Sequence, residues 1–531
     1  MERTKSTDRN SKRLTAGFKW AVFLLPISTG IYFTMPYTIV VYMVADFGIA
    51  SGEDAVGRLT GYVASMSHVG ALLAAMPWSA ASNRVGRKPV IVTGHLLSGL
   101  TVLCFGLSPN YPFALMTRFV GGLMNGVSGA LKTLIGESSS AEEAPRSMSL
   151  LGTGWGVGCV LGPMLGGALS KPCARGSGVL PFSSALCKEG AGVLARHPYL
   201  LPCAVCLLFN VAASIMALVC FEETRTPLRA RGGCCFPRPS SSAPAYHSMH
   251  QDASDEGDES LRTTSLEQLP RKEPGRSWWR CAECVTHLAM YGIIAFFCTF
   301  LDEMFPIFAA AARDAGGLHL SARQLSLPLG VSGACLLTVT LLFYPMVVRR
   351  LGLKRSLVAG CLMMIVPTFL IPLVAYVPSH QLSTQLVLLA MCLGVKSAAQ
   401  GVGFTSVLVL LNQSAPNGEM ATVNGVAQTI SACVRALGPA LGGILWGLSI
   451  YSGLPGRQIF VFAFANVCCS VAMVVYSARQ WCSNEFCTRN DPTRQGLSSV
   501  DGDGDSAWTE LVVVQEESQA ASDRSCERVA Q

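Results

Sequence analysis

The sequence predicts an all-α membrane protein in which twelve transmembrane helices form two six-helix repeats. Three observations support this fold class. Of the 531 residues, 50% belong to the apolar set AVILMFWYC and only 14% are charged, against about 25% charged in soluble domains. Apolar stretches of about 20 residues, each long enough to cross about 30 Å of hydrocarbon, recur along the chain. One glycine-rich heptapeptide also occurs twice, once in each half.

The predicted spans divide evenly around a polar central segment. The first six cover residues 20–45, 56–80, 89–108, 111–136, 150–170 and 199–221. The second six cover residues 284–308, 326–347, 356–377, 384–411, 421–446 and 458–478. The chain therefore divides into an N-terminal tail (1–19), an N-terminal six-helix half (20–221), a linker (222–280), a C-terminal six-helix half (281–480) and a C-terminal tail (481–531). The linker and the C-terminal tail are polar and are predicted to be disordered.

Lysine and arginine residues set the predicted orientation, because basic residues near the ends of membrane helices are retained in the cytoplasm. Most of the 40 basic residues fall in connections that are cytoplasmic if the N-terminus is cytoplasmic. We therefore expect both termini on the cytoplasmic side, in either a plasma membrane or a vacuolar-type membrane. The net charge of +7 follows from this distribution, and we expect no nucleic-acid partner.

The repeated heptapeptide is the clearest sign of internal duplication. It reads LGPMLGG at 161–167 and LGPALGG at 437–443, in the fifth and eleventh spans. The fifth helix of the first half is equivalent to the eleventh helix of the chain, which is the fifth helix of the second half. The halves are therefore predicted to be parallel repeats with the substrate path between them. The repeat places Gly438, Pro439, Gly442 and Gly443 in the eleventh span. Arg435 lies two residues before the repeat and is a weaker candidate site residue than Arg118 or Lys396.

The connection after the second span reads WSAASNRVGRKP over residues 78–89. Gly86 permits a tight turn, while Arg84, Arg87 and Lys88 could pair with acidic residues on neighbouring helix ends. Such pairs could break and re-form as the halves rock. The loop, including Asn83, would then control the conformational change. The alternative is that the basic residues only anchor the loop in the cytoplasm.

Four of the charged side chains inside predicted spans are the main candidates for the site, because an unpaired charge there is costly. Arg118 lies in the fourth span, Asp302 and Glu303 in the seventh, and Lys396 in the tenth. Such residues usually face a cavity or a partner, so we expect them to contact substrate or to carry protons. A structural ion pair for Arg118 and a solvated helix end for the two carboxylates are the alternatives.

Two cysteines, Cys173 and Cys187, lie in the long connection between the fifth and sixth spans, where an oxidising compartment could pair them. The sequence leaves this pairing open. No ligand set at metal-binding spacing and no catalytic constellation stands out in the sequence. We therefore predict no metal site, no cofactor and no enzyme activity.

Several of these segments resemble the major facilitator superfamily. Residues 79–88 are similar to its signature G-x-x-x-D-R-x-G-R-K, with Ser79 and Asn83 in place of the glycine and the aspartate. Arg118 matches the arginine that the family's proton antiporters carry in helix four, where it is linked to proton coupling. The antiporter signature of helix five is matched at its fixed positions, which here are Gly158, Gly162, Pro163, Gly166 and Gly167. Simple glycine packing is the alternative for that segment.

Within the drug:proton antiporter group of that superfamily, the membrane portion resembles the zinc-induced facilitator-like transporters of plants and their fungal relatives. The stretches that carry this resemblance are TRFVGGLMNG from Thr117, GWGVGCVLGPMLGGALSKP from Gly154, GGLHLSARQL from Gly316 and NGVAQTISACVRALGPALGG from Asn424. It implies the major facilitator fold and proton-coupled antiport of a small solute by alternating access. The solute would be a metal chelate, a metal or potassium ion, or an organic anion or drug.

The expected partners are the lipid bilayer, the solute and protons, and we expect a monomer. One other class of function stays open. The chain could be a membrane nutrient sensor that does not transport and that signals through the 222–280 linker.

Overall fold

The computed structural model describes residues 15–125, 127–139, 143–173, 192–224, 277–416, 419–453 and 456–489. Helices account for nearly all of these residues, and no strand occurs within the described ranges. The predicted all-α membrane fold is therefore confirmed. Most of the predicted linker and tails lie outside the described residues, as does Cys187, while Cys173 is disulfide-bonded.

The N-terminal half contains nine helices in the described residues. Their bounds are α1 Ala16–Thr34, α2 Val40–Asp46, α3 Glu53–Val85, α4 Arg87–Gly106, α5 Tyr111–Met124, α6 Val127–Ser138, α7 Ala144–Leu169, α8 Val193–Arg196 and α9 Leu200–Cys220. A turn of 3-10 helix, Met35–Thr38, joins α1 to α2. Local sequence sets where α5 begins, because the Asn110 side chain accepts a hydrogen bond from the Phe113 backbone at 3.0 Å.

The C-terminal half contains seven helices in the described residues. Their bounds are α10 Ala282–Ala310, α11 Ala322–Thr338, α12 Tyr344–Leu351, α13 Leu353–Leu370, α14 Leu382–Ser414, α15 Met420–Tyr451 and α16 Arg457–Arg489. A π-helical turn, Val339–Phe343, joins α11 to α12 within one predicted span. The Ser321 hydroxyl and the Gln324 side chain form a capping box that starts α11.

Eleven helical segments among the described residues are long and apolar enough to cross a membrane, one fewer than predicted. The missing one is the fourth span, predicted at 111–136, which is divided between α5 (14 residues) and α6 (12 residues). α5 ends before Asn125, a poor helix former, and α6 begins at Val127. The count of twelve continuous spans is therefore not fully confirmed, although α5 and α6 together occupy the predicted position.

Glycines allow equivalent helices to approach closely in the two halves. In the first half, a Cβ placed on Gly158 would lie 2.8 Å from the Cα of Gly30, and one on Gly162 would lie 2.1 Å from the Thr34 hydroxyl. These contacts join α7 to α1. In the second half, the heptapeptide packs α15 on α10 in the same way, because a Cβ on Gly442 would lie 2.8 Å from the Met304 sulfur. Pro163 and Pro439 occupy the same place within these two helices.

The N-terminal ends of α1 and α10 and the C-terminal ends of α9 and α16 lie on one face of the molecule, called here the terminal face. Gly17 at the start of α1, for example, meets the Cys220 side chain at the end of α9. The two halves touch near the other face, which we call the opposite face. There a Cβ on Gly443 would lie 2.4 Å from the Gly57 carbonyl oxygen, and one on Gly167 would lie 2.4 Å from the Ala322 carbonyl oxygen.

These backbone contacts, together with Gly61 against the Pro439 carbonyl oxygen, form the opposite-face seam. The Tyr42 hydroxyl also donates a hydrogen bond to the Leu320 carbonyl oxygen at 2.5 Å across the halves. Toward the terminal face, a Cβ on Gly136, Gly152 or Gly425 would meet nothing within 4 Å. The halves are thus packed together at the opposite face, whereas these glycines toward the terminal face have no such neighbour. The space between the halves on that side is called here the cavity.

Candidate functional site

A buried ion pair lies in the C-terminal half beside the cavity. The Lys396 ammonium on α14 pairs with the Asp302 carboxylate on α10. One turn further along α14, the Gln400 amide donates to the second Asp302 oxygen at 3.3 Å. The Lys396 side chain is 2% exposed, whereas that of Asp302 is 33% exposed. The lysine is therefore fixed within the protein, and water reaches only the carboxylate.

Glu303 follows Asp302 on α10 and is 7% exposed. The Asp302 carboxylate of its own half and the Arg118 guanidinium of the other half both act on it electrostatically. Glu303 forms no ion pair within the described part of the chain at the usual 4.0 Å limit. The carboxylate therefore interacts with Arg118 across the cavity without direct contact.

Arg118 on α5 is 4% exposed and is held by three neighbours. Its Nη2 donates to the Ser67 hydroxyl on α3 at 3.0 Å. Its guanidinium carbon lies 5.7 Å from the centre of the Tyr32 ring and 5.6 Å from that of Phe105, within the range of cation–π attraction. Nε and Nη1 have no hydrogen-bond acceptor among the described residues. Arg118 thus has two buried donors that no group in the described part of the chain satisfies.

The structure adds His68, Tyr37 and Arg435 to the predicted site residues. The His68 ring stacks on Phe33 with centroids 5.8 Å apart and planes at 10°, and both Arg118 and Arg435 act on it electrostatically. Tyr37 is within electrostatic range of both cavity carboxylates and of Arg435. The presence of a single histidine in its predicted span could have identified His68, whereas no sequence signal distinguished Tyr37.

The loop after α3 forms a hydrogen-bonded cluster on the terminal face. The Arg87 guanidinium donates to the Asn83 side chain at 2.9 Å and pairs with Glu137 at 3.1 Å. Glu223, just after α9, accepts from the backbone N–H groups of Arg87 and Lys88 at 2.9 and 3.0 Å. Apart from Glu223, which follows α9 at the start of the predicted linker, these partners belong to the N-terminal half. The cluster fastens α3, α4, α6 and the end of α9 to one another.

Other residues of that loop have smaller roles in the cluster. Gly86 has a φ of +116°, and a Cβ there would lie 2.5 Å from a Glu223 carboxylate oxygen, so both conformation and space favour glycine. Arg84 is exposed. The Asn83 amide occupies the position of the signature aspartate and still binds Arg87, although it supplies no charge.

No group of three or more His, Cys, Asp or Glu side chains in the described ranges could hold a metal ion. The arrangement instead combines the buried charges of Arg118, Glu303 and Lys396 with one accessible carboxylate, that of Asp302, beside the cavity between the halves. Such an arrangement can bind a charged solute and exchange protons with it as exposure changes.

The sequence and the fold both have clear relatives. Residues 22–439 match the family model described as Major Facilitator Superfamily. The Arabidopsis thaliana protein ZINC INDUCED FACILITATOR 1 is 27% identical over 88% of this chain and 91% of its own length. The multidrug transporter mfsB of Aspergillus fumigatus is 26% identical over 81% of this chain and 78% of its own.

Solved structures show the same fold at low sequence identity. A D-xylose-proton symporter superposes with a TM-score of 0.62 and 16% identity, covering 86% of this chain and 96% of the symporter. The human organic anion transporter MFSD10 gives a TM-score of 0.52 and 16% identity, covering 86% of this chain and 98% of that protein. Fold, family model and relatives agree, and the chain belongs to the major facilitator superfamily of membrane transporters.

Proposed function

We propose that the chain is a secondary active transporter that exchanges a small solute for protons by alternating access. The observation that carries this proposal is the buried Lys396–Asp302 pair beside Glu303, which faces Arg118 of the other half. These charges lie beside the cavity between the halves. Protonation and conformational change would therefore act on the same groups.

A sequence of protonation events follows from the charges. Protonation of Asp302 removes the negative partner of Lys396, so the ammonium becomes free to attract an anionic group. Protonation of Glu303 removes its attraction for Arg118 across the cavity. Protonation of Glu303 thereby weakens an interaction between the two halves, whereas protonation of Asp302 acts on a pair within the C-terminal half. Release of the protons on the other side of the membrane restores both interactions and completes the exchange.

The charge pattern of the connections supports an orientation with both termini in the cytoplasm. In that orientation the cavity lies on the cytoplasmic side. The relatives named above, a zinc-induced facilitator and a multidrug transporter, support a small-solute substrate. We place the protein in a plasma membrane or a vacuolar-type membrane and propose that it works as a monomer.

The test is uptake into sealed proteoliposomes under an imposed pH gradient, with zinc, potassium, metal chelators and organic anions as solutes and internal pH followed throughout. We expect solute flux with opposing proton movement, and we expect D302N and E303Q to uncouple the two. E283Q is the matched control, because Glu283 lies on the same helix but is 53% exposed in a surface pair with Lys354. Flux that is independent of the gradient, or full coupling in both variants, would refute proton exchange.

A further inference from the structure

The charged groups around the cavity have an excess of positive charge. Among the described residues, the two carboxylates are Asp302 and Glu303, whereas four cationic side chains act on them or on one another: Arg118, Lys132 of α6, Lys396 and Arg435. Even with both carboxylates ionised, two of the four positive charges have no counterion in this set. A cavity with this balance attracts anions and repels metal and alkali cations.

Two of the cations have hydrogen-bond donors without acceptors. Nε and Nη1 of Arg118 are buried without a partner in the described residues, and so is Nε of Arg435. Leaving a buried charged donor unsatisfied costs free energy, unless a ligand supplies the acceptor. A guanidinium presents its donors in a planar fork that matches the two oxygens of a carboxylate or another oxyanion.

The two arginines come from different halves and act on the same region. Arg118 lies on α5 and Arg435 on α15, and both are within electrostatic range of His68. His68 stacks on Phe33, and the Trp155 ring lies 5.9 Å from Phe33. These rings are each partly exposed. Flat apolar surface therefore lies close to the cationic groups.

We propose that Arg118 and Arg435 form an oxyanion-binding site between the two halves and that the transported solute is a small organic anion. The Phe33, His68 and Trp155 rings would contact the apolar body of that solute. An anion bound by both arginines would draw α5 and α15 together, which favours closure toward the terminal face. This inference rests on the proposed transport function and assigns its substrate class.

The first experiment measures binding without a proton gradient. The purified full-length protein in lipid nanodiscs is heated with 1-naphthoate, 1-naphthamide, 1-naphthylmethylamine, zinc or potassium, because a ligand that binds the folded state raises its melting temperature. We expect the naphthoate to bind at least about tenfold more tightly than the amide or the amine. Three outcomes would overturn the proposal: the acid and the amide bind equally well, the amine or a metal ion binds more tightly than the acid, or no probe stabilises the protein.

The second experiment tests the residues. R118Q and R435Q should each weaken naphthoate binding about tenfold or more, and R435K, which keeps the charge but loses the fork, should have an intermediate effect. R479Q is the control, because Arg479 is exposed near the end of α16. Unchanged naphthoate binding in R435Q or R435K would refute the site even if R118Q fails to fold.

The two proposals can fail separately. Anion binding that depends on both arginines, without any proton movement in proteoliposomes, would refute antiport and support the oxyanion site. Proton-driven transport of a neutral or cationic solute would support antiport and refute the oxyanion site.

Discussion

Removing the charge of Asp302 should destabilise the protein more than removing the charge of Lys396. In D302N, the ammonium of a side chain that is 2% exposed loses its counterion. Loss of one partner of a buried pair typically costs 3–5 kcal/mol, and we expect the lower end, about 3 kcal/mol, because Asp302 admits some water. In K396M, the carboxylate left behind is 33% exposed and still accepts from Gln400, so we expect about 1 kcal/mol.

The double variant K396M/D302N has neither buried charge and should return to within about 1 kcal/mol of the wild type. The singles add to about 4 kcal/mol, so the coupling free energy is about 3 kcal/mol, or roughly 150-fold in the unfolding equilibrium. The assay is reversible unfolding in mixed micelles by increasing the SDS fraction, applied to all four proteins.

The exposed pair of Lys354 and Glu283 supplies the control cycle, in which coupling below about 1 kcal/mol is expected. A K396M variant as unstable as D302N would refute the argument from burial. A double variant with the summed cost of both singles would show that the two charges do not compensate each other.

Three further predictions concern other parts of the molecule. G443A should push the halves apart at the opposite-face seam, because its Cβ would lie 2.4 Å from the Gly57 carbonyl oxygen. Distances between spin labels on the two sides of the seam should lengthen. The control G425A should leave these distances unchanged, because nothing lies within 4 Å of a Cβ at that position. N83D should strengthen the terminal-face cluster by about 1 kcal/mol in thermal unfolding, because a carboxylate binds Arg87 more strongly than an amide does. Replacement of residues 228–272 by a Gly/Ser linker of equal length should leave solute flux within about twofold, whereas a sensor that signals through this segment would lose its output.

Contrary results would be equally specific. Unaltered distances in G443A would mean that the seam does not hold the halves together. An N83D protein of lower stability would show that the neighbouring Glu137 and Glu223 repel a third carboxylate. Loss of flux on replacing the linker would support the sensor interpretation.

Sequence patterns predicted most of the fold because span length, hydropathy and the LGPxLGG repeat are local properties. The break at Asn125 was missed because one or two weak helix formers hardly alter hydropathy averaged over a span. Asp302 and Lys396 were each identified by the cost of burying a charge, but their pairing joins residues 94 positions apart and depends on packing. His68 was missed because a neutral ring within a span carries no comparable cost, and Arg435 was ranked low because its neighbours come from other helices.

The amide of Asn83 makes the terminal-face cluster partly independent of acidity. An aspartate at this position would lose its charge on acidification and would be screened by salt, whereas the amide keeps its hydrogen bond to Arg87 under both conditions. Glu137 and Glu223 are the carboxylates that fasten this loop through their hydrogen bonds. The protein should therefore tolerate acid stress at that face better than a relative with the aspartate, and the acid response of transport should reside mainly in the cavity.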